Sequence, residues 1–341
     1  MTSKLLTMKK LIRVSTVPIS LNILLKGQLQ YLSKFYDLTA VSGEGPDMEE
    51  VRQREQVKTH VIEMQRQISP VQDVRSLWGL YRYFKKEKPD IVHSITPKAG
   101  LLSMLAAKMA GVPVRMHTFT GLIFPSRTGK MQQLLIRMDR LLCSAATHIY
   151  PEGQGVKNDL LKYKITTKPL KIIANGNVNG IDLEYFNPEN ISEQEKNDLK
   201  QQLGIHTGDF VFIFVGRLVR DKGINELVEA FNQLDTENVR LLLVGPLEQD
   251  LDPLLPKTLE LIEKNTSIIS TGYQSDVRKY FAVADALVFP SYREGFPNVV
   301  LQALAMELPA IVTNISGSNE IIRDGDNGVI IPPKNQSGLR E

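Results

Sequence analysis

The sequence predicts an α/β protein built from two consecutive Rossmann-like domains, each with a parallel sheet. Short runs of β-branched and other apolar residues alternate with longer segments of helical spacing, which is typical of parallel strands joined by crossover helices. This series occurs twice along the chain, and 341 residues are enough for two domains at about 150 residues each. The composition, 42% hydrophobic and 23% charged, excludes collagen-like, low-complexity and wholly disordered proteins.

The first series fills residues 1–188, the expected N-terminal domain. Apolar runs bounded by turn residues predict strands at Leu11–Val14, Leu38–Val41, Ile91–Ser94, Val114–Thr118, His148–Tyr150 and Lys171–Ile173. Helical spacing between these runs predicts helices at Val74–Lys88, Ala99–Ala110 and Met131–Ala146.

The second series fills residues 189–341, the expected C-terminal domain, and opens with a charged helix at Glu189–Leu203. Strands are predicted at Phe210–Val215, Arg240–Val244, Ile268–Ser270, Ala286–Phe289 and Ala310–Val312. Helices are predicted at Ile224–Leu234, Leu255–Lys264, Ser275–Val283 and Val299–Met306.

The connector Asn175–Asp182 is rich in asparagine and glycine, residues that tolerate positive φ. It is expected to form a tight turn and to act as the interdomain hinge. Ligands of open α/β sheets bind beyond the carboxyl ends of the strands. The expected binding site is therefore the cleft between the two domains.

Cysteine and apolar patterns indicate a cytoplasmic protein. Cys143 is the single cysteine, so no internal disulfide is possible, and no His/Cys cluster has zinc spacing. The most apolar stretch, Leu101–Val112, is interrupted by Lys108 and is shorter than the roughly 20 residues of a membrane-spanning helix. The segment Met1–Lys10 has too small an apolar core for a signal peptide.

The charge is distributed unevenly between the two halves. Residues 1–188 carry 27 Lys and Arg against 15 Asp and Glu, whereas residues 189–341 carry 14 against 23. This predicts a basic surface that faces a phosphorylated acceptor, a membrane leaflet or nucleic acid, and the alternative is an ordinary solvated surface. Because no basic face with interleaved aromatic residues occurs, nucleic-acid binding is not expected.

The stretch Pro125–Ala145 interleaves arginine and lysine with leucine and methionine at helical spacing. Such a helix is suited to lie on an anionic leaflet, such as that of the inner face of the cell membrane. The alternative is a core helix with a solvated basic edge.

The first motif with chemical meaning is Gly216-Arg217 at the end of a predicted strand, followed by Lys222. The glycine allows the backbone to approach a ligand, while the guanidinium and the ammonium suit a diphosphate. The alternative interpretation is two ordinary cations in a surface loop.

The second motif runs from Ser291 to Ala303, where a strand leads through a turn into a helix that starts near Asn298. Free N–H groups at a helix start bind anions. Glu294 lies just before the helix and Gln302 about one turn into it, so both are suited to bind sugar hydroxyls. The alternative for Glu294 is a capping or solvated carboxylate.

Together these motifs resemble the family-4 glycosyltransferases of the GT-B fold, from about Leu11 to Pro333. The resemblance implies that Arg217 and Lys222 bind the donor diphosphate and that Glu294 holds the donor sugar. Gln302 stands where the family has a second glutamate, which takes the ribose hydroxyls, and an amide is expected to retain that contact. The remaining donor-side residues implied by the resemblance are Gly216, Tyr273, Gln274, Gly295, Phe296, Pro297, Asn298 and Val299.

The first domain departs more from the family pattern. Thr120 stands where the family has a histidine near the reacting sugar, and His117, three residues earlier, is the candidate proton carrier. The alternative for His117 is a packed strand residue. His93 and Lys98 are further candidates for the acceptor side, because they lie at a strand end.

The resemblance implies transfer of a hexose or N-acetylhexosamine, with retention, from a nucleotide diphosphate sugar to a lipid-linked or growing glycan. UDP is the favoured nucleotide, and the implied front-face mechanism uses neither a metal nor another cofactor. The alternatives are a non-catalytic nucleotide- or glycan-binding partner and a GT-B nucleotide-sugar epimerase or phosphorylase. Family members continue with one or two helices after the position of Lys334, so the second domain is expected to lack its terminal helices.

Overall fold

The computed structural model describes residues 8–234, 237–250 and 252–340. The chain divides into two compact units, Met1–Asn179 and Gly180–Glu341, called unit 1 and unit 2 below. The division falls inside the connector Asn175–Asp182, where Asn177 and Gly180 have φ values of 63° and 72°. The sequence analysis put it after residue 188. Residues 1–7, part of the segment expected not to be a signal peptide, lie outside the described residues.

Unit 1 contains a six-stranded parallel sheet in the order β3-β2-β1-β4-β5-β6. Its strands are β1 (Lys10–Val14), β2 (Asp37–Ser42), β3 (Lys58–Val61), β4 (Ile91–Ser94), β5 (Val114–Phe119) and β6 (His148–Pro151). Its helices are α1 (Pro18–Leu24), α2 (Gln28–Ser33), α3 (Asp47–Glu55), α4 (Pro70–Glu87), α5 (Pro97–Ala110), α6 (Gly129–Ala145) and α7 (Gln154–Lys162).

The helices of unit 1 pack in two groups. Helix α1 packs against α3, while α5 packs against both α4 and α6. Helices α1, α4 and α5 each have a proline in the first turn. Backbone N–H groups there make no intrahelical hydrogen bond, so proline, which has no N–H, is tolerated. The buried side chains of Val14, Val92, Phe84 and Leu102 belong to the core between the sheet and the α4/α5 layer.

Unit 2 contains a second six-stranded parallel sheet, in the order β12-β11-β10-β7-β8-β9. Its strands are β7 (Phe210–Val215), β8 (Val239–Val244), β9 (Ile268–Gly272), β10 (Ala286–Phe289), β11 (Ala310–Thr313) and β12 (Gly328–Ile331). Its helices are α8 (Glu193–Leu203), α9 (Ile224–Phe231), α10 (Pro256–Lys264), α11 (Arg278–Ala282), α12 (Asn298–Ala305), α13 (Ser318–Ile321) and α14 (Gln336–Arg340). The two parallel sheets confirm the predicted α/β class.

One predicted strand is absent, and several predicted helices begin at other residues, among them α4 at Pro70, α8 at Glu193 and α11 at Arg278. The strand predicted at Lys171–Ile173 is wrong, because Leu170 makes only an isolated bridge with Ile149 and the side chain of Ile173 is exposed. The helix predicted to begin at Glu189 begins at Glu193 instead, because residues 188–190 form a short 3-10 turn before the N-cap.

Candidate active site

The carboxyl edge of the unit 2 sheet brings together loops that are distant in the sequence. The loop after β7 carries Arg217 and Lys222, and the loop after β10 carries Glu294. Strands β7 and β10 are neighbours in the sheet, so parallel pairing places both loops at the same edge. The predicted donor-site residues therefore share one part of the molecule.

Lys222 and Glu294 form an ion pair at this edge, and both side chains are largely buried. The Nζ of Lys222 donates to Oε1 of Glu294, and the Ser291 hydroxyl donates to the same oxygen at 2.7 Å. Lys222 Nζ also lies 5.0 Å from the centroid of the Phe289 ring. A ligand phosphate can take over the ammonium, which would leave the carboxylate available to sugar hydroxyls.

Two glycines allow the loops to approach this closely. Gly223 has φ 73°, and a Cβ there would collide with the carbonyl oxygen of Pro290. Gly317 has φ 81°, and a Cβ there would collide with the carbonyl oxygen of Gly295. The loop after β10 is therefore in close contact with the backbone of two other segments, at Gly223 and at Gly317. Both glycines have a positive φ, which other residues rarely adopt.

A second group of contacts ties the loops after β7 and β10 together. Arg293 Nε donates to Asp221 Oδ2 at 3.0 Å, and the Tyr292 N–H donates to the Asp221 carbonyl at 2.9 Å. The Tyr292 hydroxyl donates to Glu226 Oε1 at 2.5 Å. Burial and this carboxylate raise the pKa of Tyr292, so the phenol remains a donor at neutral pH. These contacts fix the separation between Lys222 and the loop that carries its partner.

Arg217 is half-exposed and forms an ion pair with Glu248, which follows β8. The loop that carries Glu248 is fixed because the Leu218 N–H donates to the Pro246 carbonyl at 2.8 Å. The sequence analysis missed Glu248. It could have been found from the sequence, because Glu248 closely follows β8, the strand that pairs with β7.

Helix α12 begins at Asn298 after an extended Pro297, next to the buried Gly295. Phe296, Asn298 and Val299 are partly exposed around this helix start, and Gln302 follows within the helix, also partly exposed.

Tyr273 and Gln274 lie directly after β9, at the same edge of the sheet. The Tyr273 ring is exposed, and the Gln274 amide donates to the Thr271 carbonyl at 3.0 Å. With Gly216 at the end of β7, the donor-side residues predicted in unit 2 lie at strand ends or in the loops and helix start that follow, except for Gln302, which lies within α12.

In unit 1, two of the acceptor-side candidates lie near the carboxyl ends of β4 and β5. The Thr120 hydroxyl donates to the Ile95 carbonyl at 2.9 Å. Lys98 pairs with Asp73 at 2.7 Å and donates to the Gln67 carbonyl.

The two candidate histidines of unit 1, His93 and His117, are buried. His117 is 1% exposed, its Nδ1 lies 2.8 Å from the Ser94 hydroxyl, and its ring packs edge-on against Phe119. Burial lowers the pKa of His117 to about 3. A proton carrier must reach the substrate, so this burial favours the packed alternative for His117, and its catalytic role stays a prediction.

His93 lies between two polar partners inside the sheet. Its ring nitrogens are 2.7 Å from an Arg13 guanidinium nitrogen and 2.8 Å from the Thr118 hydroxyl. Burial and the adjacent guanidinium hold the pKa of His93 well below its usual range. The buried Arg13 was missed by the sequence analysis, because a charged residue within a short strand carries no signal of burial.

Across the described ranges, no three His, Cys, Asp or Glu side chains gather in a way that would hold a metal ion. None of the helices in the described part of the chain combines the length and the apolar character needed to cross a bilayer.

Comparison with known proteins identifies the family. Residues 195–341 match the model of glycosyl transferases group 1, and residues 30–176 match that of the glycosyl transferase 4-like domain. The capsular polysaccharide biosynthesis glycosyltransferase CapM of Staphylococcus aureus is 32% identical over 312 residues, which cover 90% of this chain and 80% of that protein. The chain is a family-4 glycosyltransferase.

This glycosyltransferase is also similar to an Escherichia coli enzyme named UDP-Gal:alpha-D-GlcNAc-diphosphoundecaprenol alpha-1,3-galactosyltransferase. The two are 32% identical over 273 residues, or 78% of this chain and 68% of the relative. Among solved structures, Anabaena HepE in complex with UDP and glucose has a TM-score of 0.80 at 17% identity, covering 97% of this glycosyltransferase and 88% of HepE. WaaG, a glycosyltransferase involved in lipopolysaccharide biosynthesis, has a TM-score of 0.73 at 15% identity, covering 97% and 88%. The fold is therefore GT-B.

Proposed function

We propose that this glycosyltransferase moves a hexose or N-acetylhexosamine, with retention, from a UDP-sugar to a lipid-linked or growing polysaccharide acceptor. The ion pair between Lys222 and Glu294 is the observation that carries the proposal. It joins a cation for the diphosphate and a carboxylate for the sugar in one contact at the carboxyl edge of a sheet.

The donor would bind by exchange of partners. Arg217 and Lys222 each pair with a carboxylate, and phosphate oxygens would replace Glu248 and Glu294. Glu294 would then accept hydrogen bonds from the sugar, while N–H groups at the start of α12 complete the phosphate site. Gln302 would contact the ribose through its amide.

The transfer step needs positioning and charge stabilisation rather than a side-chain base. The bond between the anomeric carbon and the diphosphate oxygen breaks, and its electron pair leaves with the UDP. The acceptor hydroxyl oxygen bonds to the anomeric carbon on the same face, and its proton passes to the departing phosphate oxygen. Arg217 and Lys222 would stabilise the charge on that leaving group, which is the reason the mechanism requires no metal.

The nucleotide and the acceptor are supported by the relatives. The E. coli enzyme is named for UDP-Gal and a diphosphoundecaprenol acceptor, and the HepE structure contains UDP and glucose. Lys98 and Thr120 are the residues of unit 1 proposed to contact the acceptor.

With a lipid-linked acceptor, the enzyme would work in the cytoplasm at the inner face of the cell membrane. Helix α6 supports this location, since it carries Lys130 and Arg137 together with the exposed side chains of Met131 and Leu134.

The first experiment is calorimetry of the full chain with UDP, GDP, ADP and their sugars, followed by transfer assays. Lys222→Ala is expected to weaken UDP binding and to reduce turnover by about 100-fold, because the leaving diphosphate loses a buried cation. Lys264→Ala, an exposed lysine on α10, is the matched control and should change neither quantity.

Near-normal turnover of Lys222→Ala would refute the proposed donor site. Selective UDP binding without any hydrolysis or transfer would instead favour the non-catalytic alternative.

A further inference from the structure

Helix α4 presents apolar side chains to solvent. Val71 is 69% exposed, Val74 65% and Trp78 54%. These positions follow one another at i, i+3 and i+7, so they form a single stripe along the helix. Trp78 is also the single tryptophan of the chain.

The stripe lies apart from the face that packs on the core. Leu80 and Phe84 of α4 are fully buried, and Ser76 lies beside them on that face. Ile68, just before the helix, is 48% exposed and extends the apolar surface. Ile68, Val71, Val74 and Trp78 are called the α4 patch below. A cluster of this kind on a surface marks a site of contact with a partner or a membrane.

The surroundings of the α4 patch are basic. Arg75 and Arg82 follow Val71 and Trp78 by four residues each, so they lie on the same side of the helix, and both are exposed. Lys85 and Lys86 continue the positive charge toward the end of α4.

The acidic side chains of α4 are neutralised by lysines from other elements. Asp73 pairs with Lys98 at 2.7 Å, and Glu87 pairs with Lys10 at 3.3 Å. The exposed charged side chains that α4 itself places beside the patch are therefore basic, which is complementary to an anionic surface.

The α4 patch is also close to the acceptor edge of unit 1. Helix α4 follows β3, so its first turn lies at the carboxyl end of the strands. The Asp73–Lys98 pair joins that first turn to the start of α5, and Lys98 also binds the Gln67 carbonyl next to Ile68. The apolar residues thus adjoin one of the side chains proposed to contact the acceptor.

We propose that the α4 patch docks on an anionic lipid bilayer. Trp78 and the two valines would enter the headgroup region, and Arg75 and Arg82 would contact lipid phosphates. The inference rests on the proposed function, because a lipid-linked acceptor gives the enzyme a reason to work at a bilayer. It assigns a bilayer contact to α4. The membrane location proposed from α6 does not by itself imply that contact.

Trp78 reports on its own docking, since its fluorescence is the tryptophan signal of the whole chain. Vesicles with about 30% phosphatidylglycerol should shift the emission to shorter wavelength and sediment the protein, and added salt should reverse both effects. Pure phosphatidylcholine vesicles should do neither. Absence of the shift, or an equal shift with both vesicles, would overturn the proposal.

A second copy of the chain is the competing occupant. A blue shift that grows with protein concentration without lipid, together with a doubled mass in light scattering, would replace the bilayer by a dimer and overturn the proposal.

Val74→Glu and Val71→Glu should each lower the sedimented fraction at least about fivefold, because a carboxylate is repelled by the anionic surface. Ile23→Glu is the matched control: Ile23 is 52% exposed on α1, which packs against α3 and not in the α4/α5 layer. Vesicle binding that survives both α4 substitutions would refute the α4 patch.

UDP calorimetry on the same variants separates the two proposals. Retained UDP binding shows that the variant is folded and that lost sedimentation is a property of the α4 patch. If the wild-type chain does not bind UDP, the proposed donor site is refuted, but the vesicle result still tests the α4 patch independently.

Discussion

At the scale of single residues, the two cations of the donor site differ in their carboxylate partners. Lys222 holds Glu294, which the proposal assigns to the sugar, while Arg217 holds Glu248. In the proposed binding step, Glu248 only competes with the diphosphate for the guanidinium. A substitution of Glu248 therefore tests whether this carboxylate competes with the diphosphate for Arg217 or orients the guanidinium for binding.

Glu248→Gln keeps the size of the side chain and removes its charge. We expect UDP to bind about three- to tenfold more tightly, because the carboxylate no longer competes for Arg217. Isothermal calorimetry at two salt concentrations measures the change, with Glu260→Gln on α10 as the control. Weaker UDP binding would instead show that Glu248 orients the guanidinium.

The placement of the candidate donor-site residues was predictable from sequence, because they lie in motifs that follow strands. Arg217, Lys222 and Glu294 were found because each follows a recognisable strand, and β7 and β10 proved to be neighbours. Burial was not predictable. His117 and Arg13 lie on short strands whose sequence does not say which face is covered, and both are packed inside unit 1.

At the scale of elements, helix α8 shows why one boundary was misplaced. Charged residues from Glu189 onward fit a helix, but residues 188–190 form a 3-10 turn. The helix starts after Ser192, whose hydroxyl accepts from the Glu195 N–H while the Glu195 side chain accepts from the Ser192 N–H. This capping box decides where α8 begins.

Ser192→Ala removes that cap and should lower the free energy of unfolding by about 1 kcal/mol. Thermal and urea unfolding measure the loss, and Gln194→Ala within the same helix is the control. UDP binding should stay unchanged, since α8 contributes no residue to the donor site. A loss equal to that of the control would show that the box contributes nothing.

All the central strands were predicted, but only two of the four edge strands, β6 and β9. The residues of β10 are all buried and form one apolar run, and its predicted bounds match the structure. Strands β3 and β12 were not predicted, because they lie at sheet edges and have largely exposed or partly exposed residues. Edge strands need fewer apolar residues, so sequence periodicity is weakest there.

At the scale of the whole molecule, stability should depend on a carboxylate in α6. Burial raises the pKa of Asp139 to about 7. As the pH rises from about 4 to 7, the unfolded chain releases this proton while the folded chain retains it, so the free energy of unfolding falls. The stabilising effect of the protonated group is present at low pH and lost above pH 7.

Asp139→Asn removes this dependence. The variant should be about 1 to 3 kcal/mol more stable than the wild type at pH 8, and the difference should shrink toward pH 4.5. Urea unfolding at several pH values measures it. A difference that is constant across this range would show that Asp139 has an ordinary pKa.

The two units follow one another along the chain, and the chain passes from one to the other once, between Asn179 and Gly180. Each unit has its own sheet and its own hydrophobic core. A recombination point in the glycine- and asparagine-rich connector would therefore leave both cores intact. Chimeras joined there, with unit 2 taken from relatives that use other sugar nucleotides, should inherit the donor preference of one parent and the acceptor preference of the other.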